Sequence, residues 1–249
     1  MRNAIRFLFA ATTLAAAAVF GSGAAGAVLT APDIPAVQAI SPGPGEVVGI
    51  AAPVRVQFAA PVADRARAEQ AVGVRAETSL AGHFSWVDDR QLTWTPAAYL
   101  PTSAPITVSV GRLHTQFDTN GGTSADADMS AHTFTVSIGG VVVRTMPASM
   151  GKPGRETPVG TFPVMSRERT VTFDSRTIGI PLSDPEGYLM TGEFAERLTS
   201  GGVYVHSAPW SVDSQGNSNV SHGCINLAPA DAEWYYDNVA IGDPVTTHW

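Results

Sequence analysis

Apolar and polar residues alternate in three short segments of the first half of the chain, and this period of two constrains the fold more than any other feature. The segments are "VRVQF" at 54–58, "FSWVDDRQLTW" at 84–94 and "ITVSV" at 106–110. Such alternation indicates strands with one buried face, and the polar triplet Asp88-Asp89-Arg90 predicts a hairpin turn. Several short strands at this spacing, with no helical period of comparable strength, predict an antiparallel sandwich of about 100 residues.

The second half of the chain is also predicted to be mostly β. The polar, glycine-containing stretch 115–132 is interpreted as a long loop that closes the first domain. New alternation follows in "FTVSI" and then in "VVVRTMPAS" at 141–149. We therefore place the domain boundary near residue 130, with a first domain at 49–130 and a second at 131–249.

Two helical pieces are predicted late in the chain. "PADAEWYYDNV" begins with Pro229 and carries Asp231 and Glu233 in its first turns. A proline at the first helical position and acidic residues near the N-terminus are both typical of helices. A second helical piece is predicted in "TGEFAERLTS" at 191–200. The second domain is thus expected to be β-rich with short helices.

The N-terminal segment has the order of a secretory signal: Arg2 and Arg6, an apolar run and then small residues up to Ala27. We predict a signal peptide over 1–27, and an uncleaved membrane anchor is the alternative, since small and apolar residues continue to Leu29. Residues 28–48 are interpreted as a spacer rich in proline and glycine. The expected location is the cell envelope, in the periplasmic space or the cell wall, with membrane anchoring if the signal is retained.

The charge of the chain argues against one class of partner. The formal net charge is −7, with 15 Lys and Arg against 22 Asp and Glu. Proteins bind the phosphates of nucleic acids through clustered Lys and Arg, and this sequence has no basic run. We therefore predict no nucleic-acid partner.

The chain contains a single cysteine, Cys224, within "SHGCIN" at 221–226. A thiol attacks carbonyl carbons only as the thiolate, so a nucleophilic role requires a base that takes the proton. Two imidazoles are candidates, His206 and His222. His206 is favoured because it ends an apolar alternating strand, "GGVYVH", which a neighbouring segment could bring against the thiol.

Gly223 adds a second element to this hypothesis. Without a Cβ, its backbone can take a conformation that aims the amides of residues 222–224 at one point, as in an oxyanion hole. Three other readings remain open: a zinc site of His206, His222 and Cys224, a buried apolar cysteine, and an intermolecular disulfide. No cofactor and no metal are predicted.

These residues carry a resemblance to a known family. His206 followed by "SHGCIN" is similar to the signature of the L,D-transpeptidases, bacterial wall enzymes with a YkuD-type catalytic domain. "TPVGTF" at 157–162 resembles an early element of that domain, and "HSAPWS" the form found in actinobacterial, mycobacterial-type members. The resemblance implies a mainly β fold, in which an immunoglobulin-like sandwich precedes a β-rich catalytic domain with short helices.

The resemblance also implies roles for individual residues. Cys224 resembles the family's nucleophile and His206 its base, with the backbone carbonyl of Ser207 holding the imidazole. His222, Gly223 and Cys224 would line the oxyanion site. Four further residues would shape the substrate channel, under a lid at about 172–200: Tyr188, Gly202, Trp210 and Asn226.

The implied reaction is a peptidoglycan acyl transfer. Cys224 would attack the carbonyl of the L-centre in the third residue of a tetrapeptide stem and release D-alanine. A diamino-acid side-chain amine of another stem would capture the thioester in a 3→3 cross-link, and carbapenem-type β-lactams would acylate the same thiol. The alternatives are an L,D-carboxypeptidase-type cysteine peptidase that hydrolyses the same bond, and a non-catalytic wall-binding protein.

Overall fold

A computed structural model describes residues 34–249 of the chain. The predicted signal peptide at 1–27, and residues 28–33 of the predicted spacer, lie outside the described residues. Among the residues that are described, no helix is both long and apolar enough to cross a membrane.

The first domain is a β-sandwich, as the alternation predicts. Its two four-stranded sheets have the orders β1-β3-β6-β5 and β2-β8-β7-β4, and a short helix, α1 (Arg65–Gln70), precedes β4. The strands are β1 (Val37–Ser41), β2 (Val47–Val48), β3 (Val54–Phe58), β4 (Val72–Arg75), β5 (Gly82–Trp86), β6 (Gln91–Pro96), β7 (Pro105–Val110) and β8 (Leu113–Thr119).

The alternating apolar side chains of β3, β6 and β7 meet in one core between the two sheets. Val54, Val56 and Phe58 of β3 are all buried. The predicted hairpin turn is confirmed between β5 and β6, where the Asp88 carboxylate accepts from the amides of Arg90 and Gln91, both at 2.7 Å. The hydrogen bonds of the turn and the burial of alternate side chains therefore both match the β-sandwich predicted from the sequence.

The spacer prediction is wrong for residues 37–48. Here β1 pairs with β3 in one sheet, and β2 pairs with β8 in the other. β1 occupies a sheet edge, and Pro42 and Pro44 lie between the two strands. A proline in that place removes no ladder hydrogen bond, so the proline content did not exclude strands.

The loop predicted at 115–132 is also wrong, and with it the boundary near residue 130. The segment contains the end of β8 and a further strand, β9 (Thr123–Asp128), which pairs in register with β10 (Thr133–Ile138) of the second domain. The inward side chains of β9 are small, Thr123, Ala125 and Ala127. A strand that buries only alanine and threonine gives almost no hydropathy signal. The second domain therefore begins one strand earlier.

The second domain is built on a nine-stranded sheet in the order β12-β17-β9-β10-β11-β16-β15-β14-β13. Its remaining strands are β10 (Thr133–Ile138), β11 (Val141–Ser149), β12 (Gly160–Pro163), β13 (Ser166–Asp174), β14 (Leu189–Arg197), β15 (Tyr204–Ser207), β16 (Ile225–Leu227) and β17 (Pro244–His248). The predicted late helix is confirmed as α2 (Pro229–Asn238). Its Tyr235 packs edge to face on Phe134 of β10, with ring centroids 4.9 Å apart.

The helical piece predicted at 191–200 is wrong, because residues 189–197 form β14, an interior strand between β13 and β15. The register of β14 against β15 shifts between Glu193 and Glu196, and Phe194 within this bulge has φ +50°. Phe194, Ala195 and Glu196 are all buried. A bulge interrupts the period of two, so the sequence pattern of this strand resembles no regular element.

Glu196 on β14 is expected to make the stability of the protein depend on pH. It is fully buried, and neither carboxylate oxygen has a hydrogen-bond partner among the described residues. Burial raises the pKa of this carboxyl well above its usual range, although nearby Arg167 opposes the shift. An acid whose folded-state pKa is raised loses stability as pH rises from its unfolded-state value through the folded-state value.

We therefore expect Glu196→Gln to be more stable than the parent protein at pH 8, with the difference shrinking toward pH 4. The gain in the free energy of unfolding at pH 8 would be on the order of 1 kcal/mol or more. Chemical denaturation at both pH values measures it. Glu233→Gln, on the exposed face of α2, is the matched control and should show no such pH dependence. Equal pH profiles for the two variants would contradict the assignment of Glu196 as a buried, hard-to-ionise group.

Candidate active site

His206 occupies the third position of β15, an interior strand that lies third from one edge of the large sheet. Its Nδ1 lies 2.8 Å from the carbonyl oxygen of Ser207, and a carbonyl can only accept a hydrogen bond. The proton of the neutral imidazole is therefore on Nδ1, which leaves the Nε2 lone pair available. Phe173 and Trp210 border the ring, with centroid distances of 4.6 and 5.8 Å.

Cys224 lies directly before β16, which runs parallel to β15. The register pairs His206 with Asn226. Because side chains two apart on a strand share a face, Cys224 and Asn226 project to the same side as His206. The thiol therefore sits diagonally across from the imidazole, and its Sγ lies 3.7 Å from the carbonyl oxygen of Gly202.

A cavity of about 340 Å³ opens on this face of the sheet. It brings together six of the residues predicted for the site: Tyr188, His206, Trp210, His222, Cys224 and Asn226. Ser207, Gly202 and Gly223 are not part of its lining. Their observed contacts are made by backbone atoms: the Ser207 carbonyl to His206, the Gly202 carbonyl to Cys224, and both peptide groups of Gly223 to neighbouring side chains.

The remaining lining residues were not predicted: Phe173, Met190, Ser211, Ser214, Val220 and Ser221. Phe173 and Met190 are cross-strand partners on β13 and β14, so they reach the cavity only once those strands pair. Ser211 helps to fix the side chain of Asn226, because the Asn226 side-chain amide donates to the Ser211 hydroxyl at 3.0 Å. Ser211 and Ser221 lie within the "HSAPWS" and "SHGCIN" segments, whereas no local pattern in the sequence marks the other four positions.

Burial makes both reactive groups neutral at rest. It lowers the pKa of His206 to about 4, with the bond to Ser207 opposing the shift. It raises the pKa of the Cys224 thiol to about 11, with a backbone hydrogen bond from Tyr204 opposing that shift. At neutral pH the pair is therefore a thiol beside a free imidazole base, and the proton must move when the sulfur attacks.

The segment between His222 and Cys224 is held by side-chain hydroxyls. Gly223 has φ +118°, a conformation that favours glycine. Its amide donates to the Ser221 hydroxyl at 3.1 Å, and that hydroxyl donates to the Cys224 carbonyl at 2.6 Å. The Gly223 amide is thus engaged inside the loop, and of the predicted oxyanion set the amides of His222 and Cys224 stay as candidates.

The rim of the cavity includes the connection between β13 and β14. Of the predicted lid at 172–200, residues 175–188 form this connection, whereas residues 172–174 belong to β13 and residues 189–197 to β14. Tyr188 stands over His222, with ring centroids 5.3 Å apart. Glu186 forms an ion pair with Lys152 and approaches His222 Nε2 at 3.5 Å. The connection is therefore tied to the loop that carries the thiol.

The zinc alternative is not supported by the arrangement of side chains. Within residues 34–249, no three His, Cys, Asp or Glu side chains are grouped closely enough to hold a metal ion. His206, His222 and Cys224 line one cavity but do not converge as ligands of one ion.

Comparison with known proteins agrees with this geometry. Residues 122–246 match the family model of the L,D-transpeptidase catalytic domain, YkuD, and residues 24–114 match that of a bacterial Ig domain. L,D-transpeptidase 1 of Mycobacterium tuberculosis (strain ATCC 25618 / H37Rv) is 50% identical over 247 residues, which cover 98% of this chain and 98% of the relative.

Two solved structures illustrate the likeness. The LD transpeptidase LdtMt1 in complex with imipenem superposes with a TM-score of 0.83 at 52% identity, covering 86% of this chain and 100% of that chain. L,D-transpeptidase 3 from Mycobacterium tuberculosis, in complex with a faropenem-derived adduct, gives 0.81 at 44% identity, covering 86% and 98%. The fold, the family match and the near full-length identity together show that this chain belongs to the L,D-transpeptidase family, with an Ig-like domain before a YkuD catalytic domain.

Proposed function

We propose that this protein is a peptidoglycan L,D-transpeptidase that forms 3→3 cross-links through a thioester on Cys224. The observation that carries the proposal is the shared cavity of Cys224 and His206, with His206 Nδ1 bonded to the Ser207 carbonyl so that Nε2 is free to accept a proton. The donor is a tetrapeptide stem that ends in D-alanine, and the acceptor is the side-chain amine of the diamino acid in another stem.

In the acylation step, His206 Nε2 removes the Sγ proton as the sulfur bonds to the carbonyl carbon of the donor's third residue. The negative charge that develops on the carbonyl oxygen is stabilised by the backbone amides of Cys224 and His222. The C–N bond to D-alanine then breaks. The imidazolium returns its proton to the departing amine, and a thioester remains on Cys224.

In the second step, the acceptor amine attacks the thioester carbonyl and His206 takes a proton from the amine nitrogen. Collapse of the intermediate breaks the C–S bond, and the thiol recovers its proton. Water competes with the amine for this thioester. The aromatic and aliphatic walls contributed by Phe173, Tyr188, Met190 and Trp210 reduce access of water and favour the amine.

Similarity also suggests an inhibitor class. Relatives at 52% and 44% identity were solved with imipenem and with a faropenem-derived adduct. A β-lactam carbonyl is an electrophile of the same kind as the donor amide, so we propose that carbapenem-type β-lactams acylate Cys224 in this chain.

An exported location follows from the proposed substrate, which lies outside the cytoplasmic membrane. The order of residues in 1–27 supports export, and retention of that segment would tether the enzyme to the membrane. N-terminal sequencing of the protein recovered from its host distinguishes the two: a start at Val28 supports cleavage, and a start at Met1 supports a tether.

The function is tested by mixing the protein with a disaccharide-tetrapeptide that ends in D-alanine. Intact-protein mass spectrometry follows the enzyme, and chromatography follows the products of the same tube. We expect a Cys224 adduct that lacks D-alanine, together with 3→3 dimers. An adduct that decays only to free tripeptide would instead indicate the carboxypeptidase. No adduct and no product would favour the wall-binding protein.

A further inference from the structure

We propose that Thr157 is a positioning residue that orients the Cys224 amide toward the carbonyl oxygen under attack. The proposal rests on the acyl-transfer function above. Thr157 lies outside the cavity and 66 positions before Gly223 in the sequence, and no chemistry of its own would assign it to the site.

The Thr157 hydroxyl joins two backbone segments. Its Oγ1 lies 2.9 Å from the Gly223 carbonyl oxygen and 3.0 Å from the Gly151 amide nitrogen. The side chain is 1% exposed, so water does not compete for either bond. An amide nitrogen can only donate, so the hydroxyl accepts from Gly151 and its own proton goes to the Gly223 carbonyl. The direction of both bonds is thereby fixed.

Fixing the Gly223 carbonyl fixes the amide of the nucleophile. The carbonyl of Gly223 and the N–H of Cys224 belong to one planar trans peptide and point in opposite directions. While Thr157 holds the oxygen, the Cys224 N–H must point away from Thr157. A rotation of this peptide would exchange the two groups and present a carbonyl oxygen, rather than a donor, to the developing negative charge.

The orientation of the peptide between Gly223 and Cys224 must be fixed by other residues, because glycine itself restricts the backbone angles very little. At φ +118°, glycine has access to a wide range of conformations, and an added Cβ would meet no atom closer than 3.7 Å. Packing around Gly223 therefore does not by itself prevent rotation of the peptide. The Thr157 bond on the carbonyl and the Ser221 bond on the amide supply that constraint.

The close approach of Thr157 depends on a second glycine. A Cβ at Gly151 would lie 2.2 Å from the Arg155 carbonyl oxygen and 2.4 Å from the Thr157 amide nitrogen. Gly151 also forms a bridge with Ser221. Segment 155–157 thus reaches the thiol loop across a position where no side chain fits, which brings the hydroxyl into range of Gly223.

The rates of two reactions of the same thiol can be compared to distinguish a change in the orientation of the Cys224 amide from a change in the thiol or its base. Acylation by imipenem passes through an oxyanion and needs the Cys224 N–H. Alkylation by iodoacetamide forms the S–C bond as the C–I bond breaks, with the thiol proton lost to the base, and no oxyanion develops. Both reactions need the thiol and His206, so the ratio of the two rates reports on the amide alone.

The variants are Thr157→Val, which keeps the shape without the hydroxyl, and Thr157→Ser, which keeps the hydroxyl. Thr247→Val is the matched control: this threonine is equally buried, and its hydroxyl donates to the Pro158 and Gly160 carbonyls at the start of β12, away from Cys224. All are measured as the full chain by intact-protein mass spectrometry, with melting temperatures alongside.

We expect Thr157→Val to slow imipenem acylation roughly tenfold to hundredfold, below the ~10² to 10³ lost when an oxyanion donor is removed outright. Its alkylation rate should stay within about twofold of the parent, and Thr157→Ser should restore acylation. Equal acylation by Thr157→Val and the parent would overturn the proposal, as would equal losses in both reactions or the same selective loss in Thr247→Val. Failure of the parent protein itself to be acylated would instead refute the proposed function.

Discussion

Replacing Cys224 with alanine is expected to abolish both 3→3 cross-linking and imipenem acylation while leaving the fold intact. Removal of a catalytic nucleophile lowers turnover by about 10⁴-fold or more in enzymes that use one. The nearby Ser211 and Ser221 hydroxyls are engaged in hydrogen bonds, so we do not expect them to replace the thiol. Product chromatography and intact-protein mass spectrometry measure the loss.

Two features make this result easy to interpret. Cys224 is the single cysteine of the chain, so iodoacetamide labelling should fall to zero in the variant, and any residual labelling would reveal another reactive group. The hydrogen bond that the thiol donates to the Gly202 carbonyl is long, at 3.7 Å, so the melting temperature should change little. Retained cross-linking by a correctly folded Cys224→Ala protein would refute the thioester mechanism.

Replacing His206 with glutamine is expected to cost roughly 10²-fold to 10⁴-fold in acylation rate at pH 7, the usual contribution of a general base. The loss should depend on pH in a defined direction. Burial raises the pKa of Cys224 to about 11, so without the base each step of one in pH up to that value gives about ten times more thiolate. The deficit of the variant should therefore narrow steadily between pH 7 and 10.

The acylation rate of the parent protein should depend on pH at the acidic end instead. Burial lowers the pKa of His206 to about 4, and the base works only when unprotonated. Acylation should therefore hold across neutral pH and fall as pH drops toward 4. Rates of imipenem adduct formation across pH measure both profiles, with His83→Gln in the first domain as the control. A constant deficit for His206→Gln at every pH would contradict its role as the base.

The sequence predicted the parts of this protein that depend on neighbours along the chain. Alternation identified β3, β5, β6 and β7, and the acidic N-terminal turn identified α2, because these signals are read within a few residues. The resemblance of His206 and the "SHGCIN" segment to a known signature identified the family, and it implied six of the residues that line the cavity.

The failures share a physical cause. β9 alternates, but it buries only small side chains, so its period of two gives little hydropathy signal. In β14 a bulge at Phe194 interrupts the period. Both are strands because their backbone groups pair with neighbouring strands of the large sheet. Tertiary hydrogen bonding, which no local pattern encodes, decided these segments.

The sequence by itself determined which groups could react: one thiol, two candidate bases and a glycine beside the thiol. Only the tertiary structure decided their states and orientations. Burial on the sheet keeps the thiol and the imidazole neutral. The Gly223 amide donates to the Ser221 hydroxyl, and the Gly223 carbonyl accepts a hydrogen bond from Thr157, 66 residues earlier in the sequence. The physical reason is that desolvation and hydrogen-bond direction depend on which atoms surround a group in space, and the chain order does not specify those atoms until it has folded.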